Sequence, residues 1–192
     1  MDSGKGAGDG AEVTVSSQEI YSGRVVKLRV DTVRLPDGRT AKREIVEHRG
    51  AVAMVALDAQ GNVLLVRQYR KPVERSLLEI PAGTLDPGED PEHCARRELA
   101  EETGYRPGRL SRLTGFYSAP GFCSEYLHVF LATELMPVES RPEDDENLEL
   151  VRAPLADCVR LIRDGDICDA KSIVGILAAQ AGWGDGDQRE RL

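Results

Sequence analysis

The sequence predicts a mixed α/β sandwich preceded by a small N-terminal β subdomain. Three observations point there. Gly50–Leu57, reading GAVAMVAL, is a short continuous apolar run, the pattern of a strand buried on both faces. Asp90–Gly104 carries its own start and stop signals, so a short helix interrupts the strands. Ahead of that core, Val25–Leu35 and Thr40–Glu47 are strand-like and flank the turn signal Pro36-Asp37-Gly38.

Taken in order, residues 1–12 are polar and glycine-rich and are expected to be disordered. Residues 13–48 form the β subdomain. The core domain, 49–181, opens with the Gly50–Leu57 strand, a turn at Asp58–Asn62, a strand at Val63–Tyr69, and a further one at Leu77–Ile80. That strand runs into Pro81-Ala82-Gly83. Asp90 is a natural N-cap, Pro91 suits the first helical position, and Gly104 suits the left-handed residue that ends a helix. Strands at Arg112–Tyr117 and Glu125–Thr133 follow, joined by the loop SAPGFCS. Pro137–Asn147 is an acidic, proline-containing loop before a short strand at Leu148–Arg152. Leu155, Val159 and Ile162 share one face of a helix that Gly165 ends, and Asp169 caps a last helix through Ile173, Ile176 and Leu177. Residues 182–192 are expected to be a flexible tail.

The chain has 192 residues, 41% hydrophobic and 30% charged, which suits a soluble globular protein. A formal charge of −8 argues against a nucleic-acid backbone or an anionic membrane as partner. Cys94, Cys123, Cys158 and Cys168 form no C-x-x-C pair. With no apolar leader and no span of membrane length, they read as reduced, packed thiols in a cytoplasmic protein.

The chemistry concentrates in Gly83–Tyr105. Glu98, Glu101 and Glu102 fall at i, i+3 and i+4, so they share a side of the helix. Arg97 reaches Glu101 at i+4, but one arginine cannot neutralise three carboxylates. A hard divalent cation can, and oxygen-only ligation suits Mg²⁺ or Mn²⁺. Such ions also answer the resistance of a diphosphate bond, because they neutralise its oxygens and acidify a bound water.

Gly83, Glu89, Arg97-Glu98-Leu99, Glu101-Glu102, Gly104 and Tyr105, at these spacings, resemble the Nudix box. Tyr105 takes a slot where an aliphatic residue is more common. The resemblance implies a Nudix-type α/β/α sandwich with a mixed sheet, and a hydrolase whose metal ligands are Glu98, Glu101, Glu102 and the Ala82 carbonyl. Arg97 would orient a glutamate, and Glu89 would stabilise the loop. Gln68-Tyr69-Arg70 and Pro120-Gly121-Phe122 with Glu125 resemble the ADP-ribose pyrophosphatase group. That implies cleavage of ADP-ribose to AMP and ribose 5-phosphate, with Arg70 gripping phosphate through its planar fork. Glu79, Pro120, Phe122 and Glu125 would join it as substrate contacts.

The segment Thr40–Leu57 is similar to the region before the core in bacterial members of that group. By this analogy the chain is a homodimer with exchanged N-terminal strands, and Glu47 and Arg49 approach the nucleotide. The adenine-sandwiching tryptophans of some relatives have no counterpart here. Tyr21, Tyr69 or Phe122 would stack in their place, or apolar packing would replace the stacking. The general base of the group lies on an acidic loop before the final strand. In RPEDDENLEL this is Glu146, with Asp144 and Asp145 beside it. Two alternatives stand: a pyrophosphatase for another nucleoside diphosphate sugar such as GDP-mannose, or a non-catalytic nucleotide-sensing Nudix module. The intact glutamates disfavour the latter.

Overall fold

The computed structural model describes residues 10–139 and 148–183, which divide into two units. One runs to His48 and includes Ala119–Glu125; the other takes Arg49–Ser118 and the described residues from Tyr126 onward.

The first unit is a three-stranded antiparallel sheet in the order β1 (Val13–Ser22), β2 (Lys27–Arg34), β3 (Thr40–Glu47). Lys27 pairs with Glu47 and Arg34 with Thr40, so the strands meet at the predicted Pro36-Asp37-Gly38 turn. Gly38 has φ 86°, and the Asp37 carboxylate accepts the Arg39 N–H at 3.0 Å. Every residue of β1 is exposed, including Val13, Val15, Ile20 and Tyr21. The SAPGFCS loop joins this sheet: Val46 N–H donates to the Phe122 carbonyl at 2.7 Å, and Ser124 N–H to the Val46 carbonyl at 3.0 Å.

The second unit is built around β4 (Ala51–Leu57), whose continuous apolar run lies in the middle of a mixed sheet. β4 runs parallel to β9 (Tyr126–Pro137) and antiparallel to β5 (Asn62–Arg70). The order is β10 (Glu149–Pro154), β5, β4, β9, β8 (Tyr105–Tyr117), with β6 (Arg75–Glu79) on β5 and β7 (Ala82–Thr84) on β4. Alternation along β4 feeds two cores. Val52, Met54 and Ala56 pack under α1 (Pro91–Thr103), against Cys94, Ala95 and Leu99. Ala51, Ala53 and Val55 face Cys158 of α2 (Leu155–Asp164) and Ile176 of α3 (Ala170–Gln180). Helices thus cover both faces, the predicted α/β/α sandwich. A Cβ at Gly175 would come within 2.9 Å of Ile80 and 3.0 Å of Val55, so this glycine lets α3 press on the sheet.

Several elements depart from expectation. β8 begins directly after α1 rather than at Arg112, carrying Pro107 within it; as an edge strand it tolerates a residue with no N–H. β7 was hidden by its length, by the preceding Pro81 and by Gly83 within it. In α3 the buried residues are Ser172, Gly175, Ile176 and Ala178, with Ile173 and Ala179 packed against the core, while Leu177 is 44% exposed. Of the cysteines, Cys94 and Cys158 are buried, but Cys168 is exposed and Cys123 half-buried, so packing does not account for all four. No described helix is long and apolar enough to cross a membrane.

Candidate active site

α1 is positioned from both ends. Asp90 caps it, accepting the N–H groups of Glu92 at 3.0 Å and His93 at 3.1 Å, and Gly104 closes it at φ 72°. Between these ends α1 lies alongside β7, and the two elements meet through side chains from one and backbone from the other. Glu102, 8% exposed, accepts the Ala82 N–H on Oε2 at 3.1 Å. Glu98 fills the space that a side chain at Gly83 would take: a Cβ there would lie 1.9 Å from its carboxyl carbon and 2.1 Å from Oε1. The box glycine is therefore a seat for a carboxylate.

Arg97 organises the rest. Its Nε and Nη2 hold the two oxygens of Glu89 at 3.1 and 3.0 Å, while Nη1 donates to Glu98 Oε1 at 2.8 Å and Glu101 Oε2 at 3.0 Å. Glu89 also accepts the Asp86 N–H at 3.1 Å and meets His93 Nδ1 at 3.1 Å. The Arg97 guanidinium lowers the Glu89 carboxyl from its usual range to about 2, and the hydrogen bond to Glu89, with the charge of Glu98, keeps Arg97 firmly charged. Glu89 is thus a loop anchor, in line with the sequence reading. Burial, with Glu89 and Glu98 nearby, pushes the Cys94 thiol up to about 12, so it is a packing group and not a nucleophile.

A second cluster lies where β5, β6 and α3 meet. Glu79, 1% exposed, takes Arg70 in a two-point pair (Nε to Oε1 at 3.0 Å, Nη2 to Oε2 at 2.7 Å) and Lys171 Nζ on Oε2 at 2.5 Å. Burial raises the Glu79 carboxyl, but the hydrogen bond from Arg70 and the charge of Lys171 outweigh it and leave it below the ordinary value. Lys171 Nζ also binds Asp169 Oδ2 at 2.9 Å, and the same oxygen caps α3 by accepting the Ser172 N–H at 3.2 Å. Arg70 feels the charges of Glu102 and Asp169 as well.

The structure therefore brings together Ala82, Arg97, Glu98, Glu101 and Glu102, and joins Arg70 to Glu79. Glu47, Pro120, Phe122 and Glu125 belong to the other unit, where Glu47 pairs with Arg29 at 3.2 Å and Glu125 with His48 at 3.4 Å. Arg49 begins the second unit and is exposed. Glu146, Asp144 and Asp145 lie outside the described residues. Lys171 escaped the sequence reading. Its signal was a lysine in the first turn of a helix, the end where a cation is disfavoured.

Among the described residues no three His, Cys, Asp or Glu side chains converge as ligands: Arg97 Nη1 sits between Glu98 and Glu101, and Glu102 turns to Ala82. The donor chemistry nonetheless fits a hard divalent ion. All the side-chain donors are carboxylates, one is seated against a glycine, and the positive group now bridging two of them has a separate anchor on Glu89.

Residues 47–171 match the NUDIX domain, and residues 12–46 match the nucleoside diphosphate sugar hydrolase N-terminal domain. The chain is 46% identical over 171 residues to the ADP-ribose pyrophosphatase of Bacillus subtilis (strain 168), covering 88% of this chain and 92% of that one. It is 44% identical, with the same coverage, to the methanol dehydrogenase activator of Bacillus methanolicus. A crystal structure of an ADP compounds hydrolase superposes with a TM-score of 0.80 over 89% of this chain and 93% of that chain, at 24% identity, a likeness of fold. With a carboxylate seated on the box glycine and the domain match spanning most of its length, the chain belongs to the Nudix family of hydrolases.

Proposed function

We propose that this protein hydrolyses the diphosphate bond of ADP-ribose, giving AMP and ribose 5-phosphate, with Mg²⁺ or Mn²⁺ as cofactor. The observation that carries the reading is the Gly83 seat, which holds Glu98 against the Ala82–Gly83 backbone beside Glu102. Hydrolases of this family generally need divalent ions. Such an ion neutralises diphosphate oxygens and makes an attacking water more acidic. Glu98, Glu101 and Glu102 would hold it, with the Ala82 carbonyl. Arg97 keeps its grip on Glu89 through Nε and Nη2, so it can yield Nη1 without releasing the loop. Arg70, held by its Nε side, would meet the diphosphate with the fork of its two Nη groups. Glu146 takes the proton from the attacking water.

The substrate choice is supported by relatives named ADP-ribose pyrophosphatase and by the nucleoside diphosphate sugar hydrolase match over 12–46. Glu47, Arg49, Pro120, Phe122 and Glu125 are the further substrate positions carried over from the sequence reading, while Glu79, expected among them, is buried and taken up by Arg70 and Lys171 and so would act through Arg70. A homodimer with exchanged N-terminal strands would cover the apolar residues exposed along β1. The test is AMP release from ADP-ribose with and without Mg²⁺, beside GDP-mannose. Metal-dependent cleavage of ADP-ribose is expected. Preference for GDP-mannose would discard the substrate, and tight binding without cleavage would discard the reaction. Glu146→Gln should lower turnover while sparing affinity; an unchanged rate would move the base elsewhere.

A further inference from the structure

We infer that Lys171 is a positioning residue for the substrate diphosphate, acting through Glu79 on Arg70. The inference rests on the reading of Arg70 as the diphosphate contact.

Glu79 is almost wholly buried, and an arginine paired to it at two points already balances its charge. A third ionised group, Lys171, is nevertheless drawn onto the same oxygen at 2.5 Å. Its position is locally unfavourable. Lys171 follows Ala170 in the first turn of α3, where the helix N–H groups already present positive charge, and its side chain is only 15% exposed. Ser172 fixes this end of the helix by accepting the Ile80 N–H on Oγ at 2.9 Å, one residue beyond Glu79. A position that breaks a local rule while everything around it is held in place calls for a gain elsewhere.

The gain follows from charge. Arg70 and Lys171 carry two positive charges against the two negative charges of Glu79 and Asp169, a neutral set. Without Lys171, Arg70 would be the sole cation of a net-negative set, with Glu102 also pulling on it. An incoming diphosphate would then meet a guanidinium already committed to carboxylates. Geometry acts in the same direction. Glu79 grips Arg70 by the Nε and Nη2 edge, so the carboxylate that Lys171 and Arg70 share sets which edge of the guanidinium meets the substrate.

The experiment measures KM and kcat for ADP-ribose, with melting temperature, in Lys171→Met, Lys171→Gln, Lys171→Arg, Arg70→Met and the Lys171→Met/Arg70→Met pair. Lys171→Met should raise KM about tenfold with kcat changed no more than about twofold. Lys171→Gln, which keeps a donor but no charge, should behave alike if the methionine variant folds poorly. Lys171→Arg should restore KM to near the unsubstituted value. The double variant should be little worse than Arg70→Met alone, because both act through one contact. A lowered melting temperature with unchanged KM in Lys171→Met or Lys171→Gln would reduce Lys171 to a structural ion pair and overturn the inference, provided Arg70→Met raises KM. An unchanged KM in Arg70→Met would instead overturn the reading of Arg70, and the inference with it.

Discussion

Gly83→Ala separates the site from the fold. The new methyl would lie 1.9 Å from the Glu98 carboxyl carbon, 2.1 Å from Oε1 and 2.3 Å from Cγ, whereas ordinary contact begins near 3.4 Å. The carboxyl group must therefore retreat by about 1.5 Å. The Gly83 backbone does not require positive φ, and the obstructing atoms are the mobile end of a side chain, so the fold itself yields little. The melting temperature should fall by no more than a few degrees, as for a loss of roughly 1 kcal/mol. The chemistry should suffer far more. Misplacing a reacting or ligating group by about 1 Å can cost roughly a hundredfold in rate. The assay is kcat for AMP release across a Mg²⁺ titration, with thermal unfolding alongside. A rise in the Mg²⁺ needed for half-maximal rate, together with a kcat loss of about a hundredfold, is expected. Turnover within about twofold of the unsubstituted protein would show that Glu98 is not needed where it sits, and would refute the seat.

Glu102→Gln should abolish metal-dependent turnover without unfolding the chain, since the amide oxygen can still accept the Ala82 N–H while a neutral amide is a poor divalent ligand. Retained turnover would remove Glu102 from the ligand set. Asp90→Ala strips the acceptor from two N–H groups and should cost about 1 kcal/mol, read by urea unfolding; a loss below about 0.3 kcal/mol would mean the cap is idle. Glu89 gives a pH signature. Its carboxyl falls from 4.5 in the unfolded chain to about 2 in the fold, so its contribution is complete above about pH 4.5 and drains away as pH falls towards 2. Unfolding free energy should therefore drop from pH 6 to pH 3 by at most about 2 kcal/mol on account of this group, with the remainder lost below pH 3, and the drop should shrink in Glu89→Gln. An identical acid limb in both proteins would deny Glu89 its anchoring role.

The legible parts of this sequence were those with local causes. Asp90, Pro91 and Gly104 mark α1 within a few residues because a cap, a fixed φ and a left-handed residue each act on their own neighbours. β4 announced itself through Val52–Ala56, since a strand with a core on each side has no polar phase. The Glu98, Glu101 and Glu102 spacing foretold a shared side, and the Arg97 to Glu101 contact followed from the same geometry. What stayed hidden depends on partners distant in sequence. Nothing near Lys171 discloses that Glu79, 92 residues away, lies within hydrogen-bond reach. Arg70 stood out through its neighbours Gln68 and Tyr69, but its two-point pairing with Glu79 joins two strands and is visible from neither position alone. β7 was missed because three residues carry no periodicity, and its pairing with Ala51–Ala53 is a property of β4 as much as its own.

That pairing sets how the site can move. β7 hangs on Ala51, Val52 and Ala53, and α1 rests on Val52, Met54 and Ala56 of the same strand, with the Met54 N–H also held by the Pro81 carbonyl at 2.9 Å. The glutamates and the backbone they face are thus mounted on one rigid beam. Spreading them apart would tear a ladder and open a core in a single event, close to global unfolding in cost. Amides of Val52 to Val55 should accordingly be among the last to exchange with solvent, and the distance between α1 and β7 should be among the least variable within this unit.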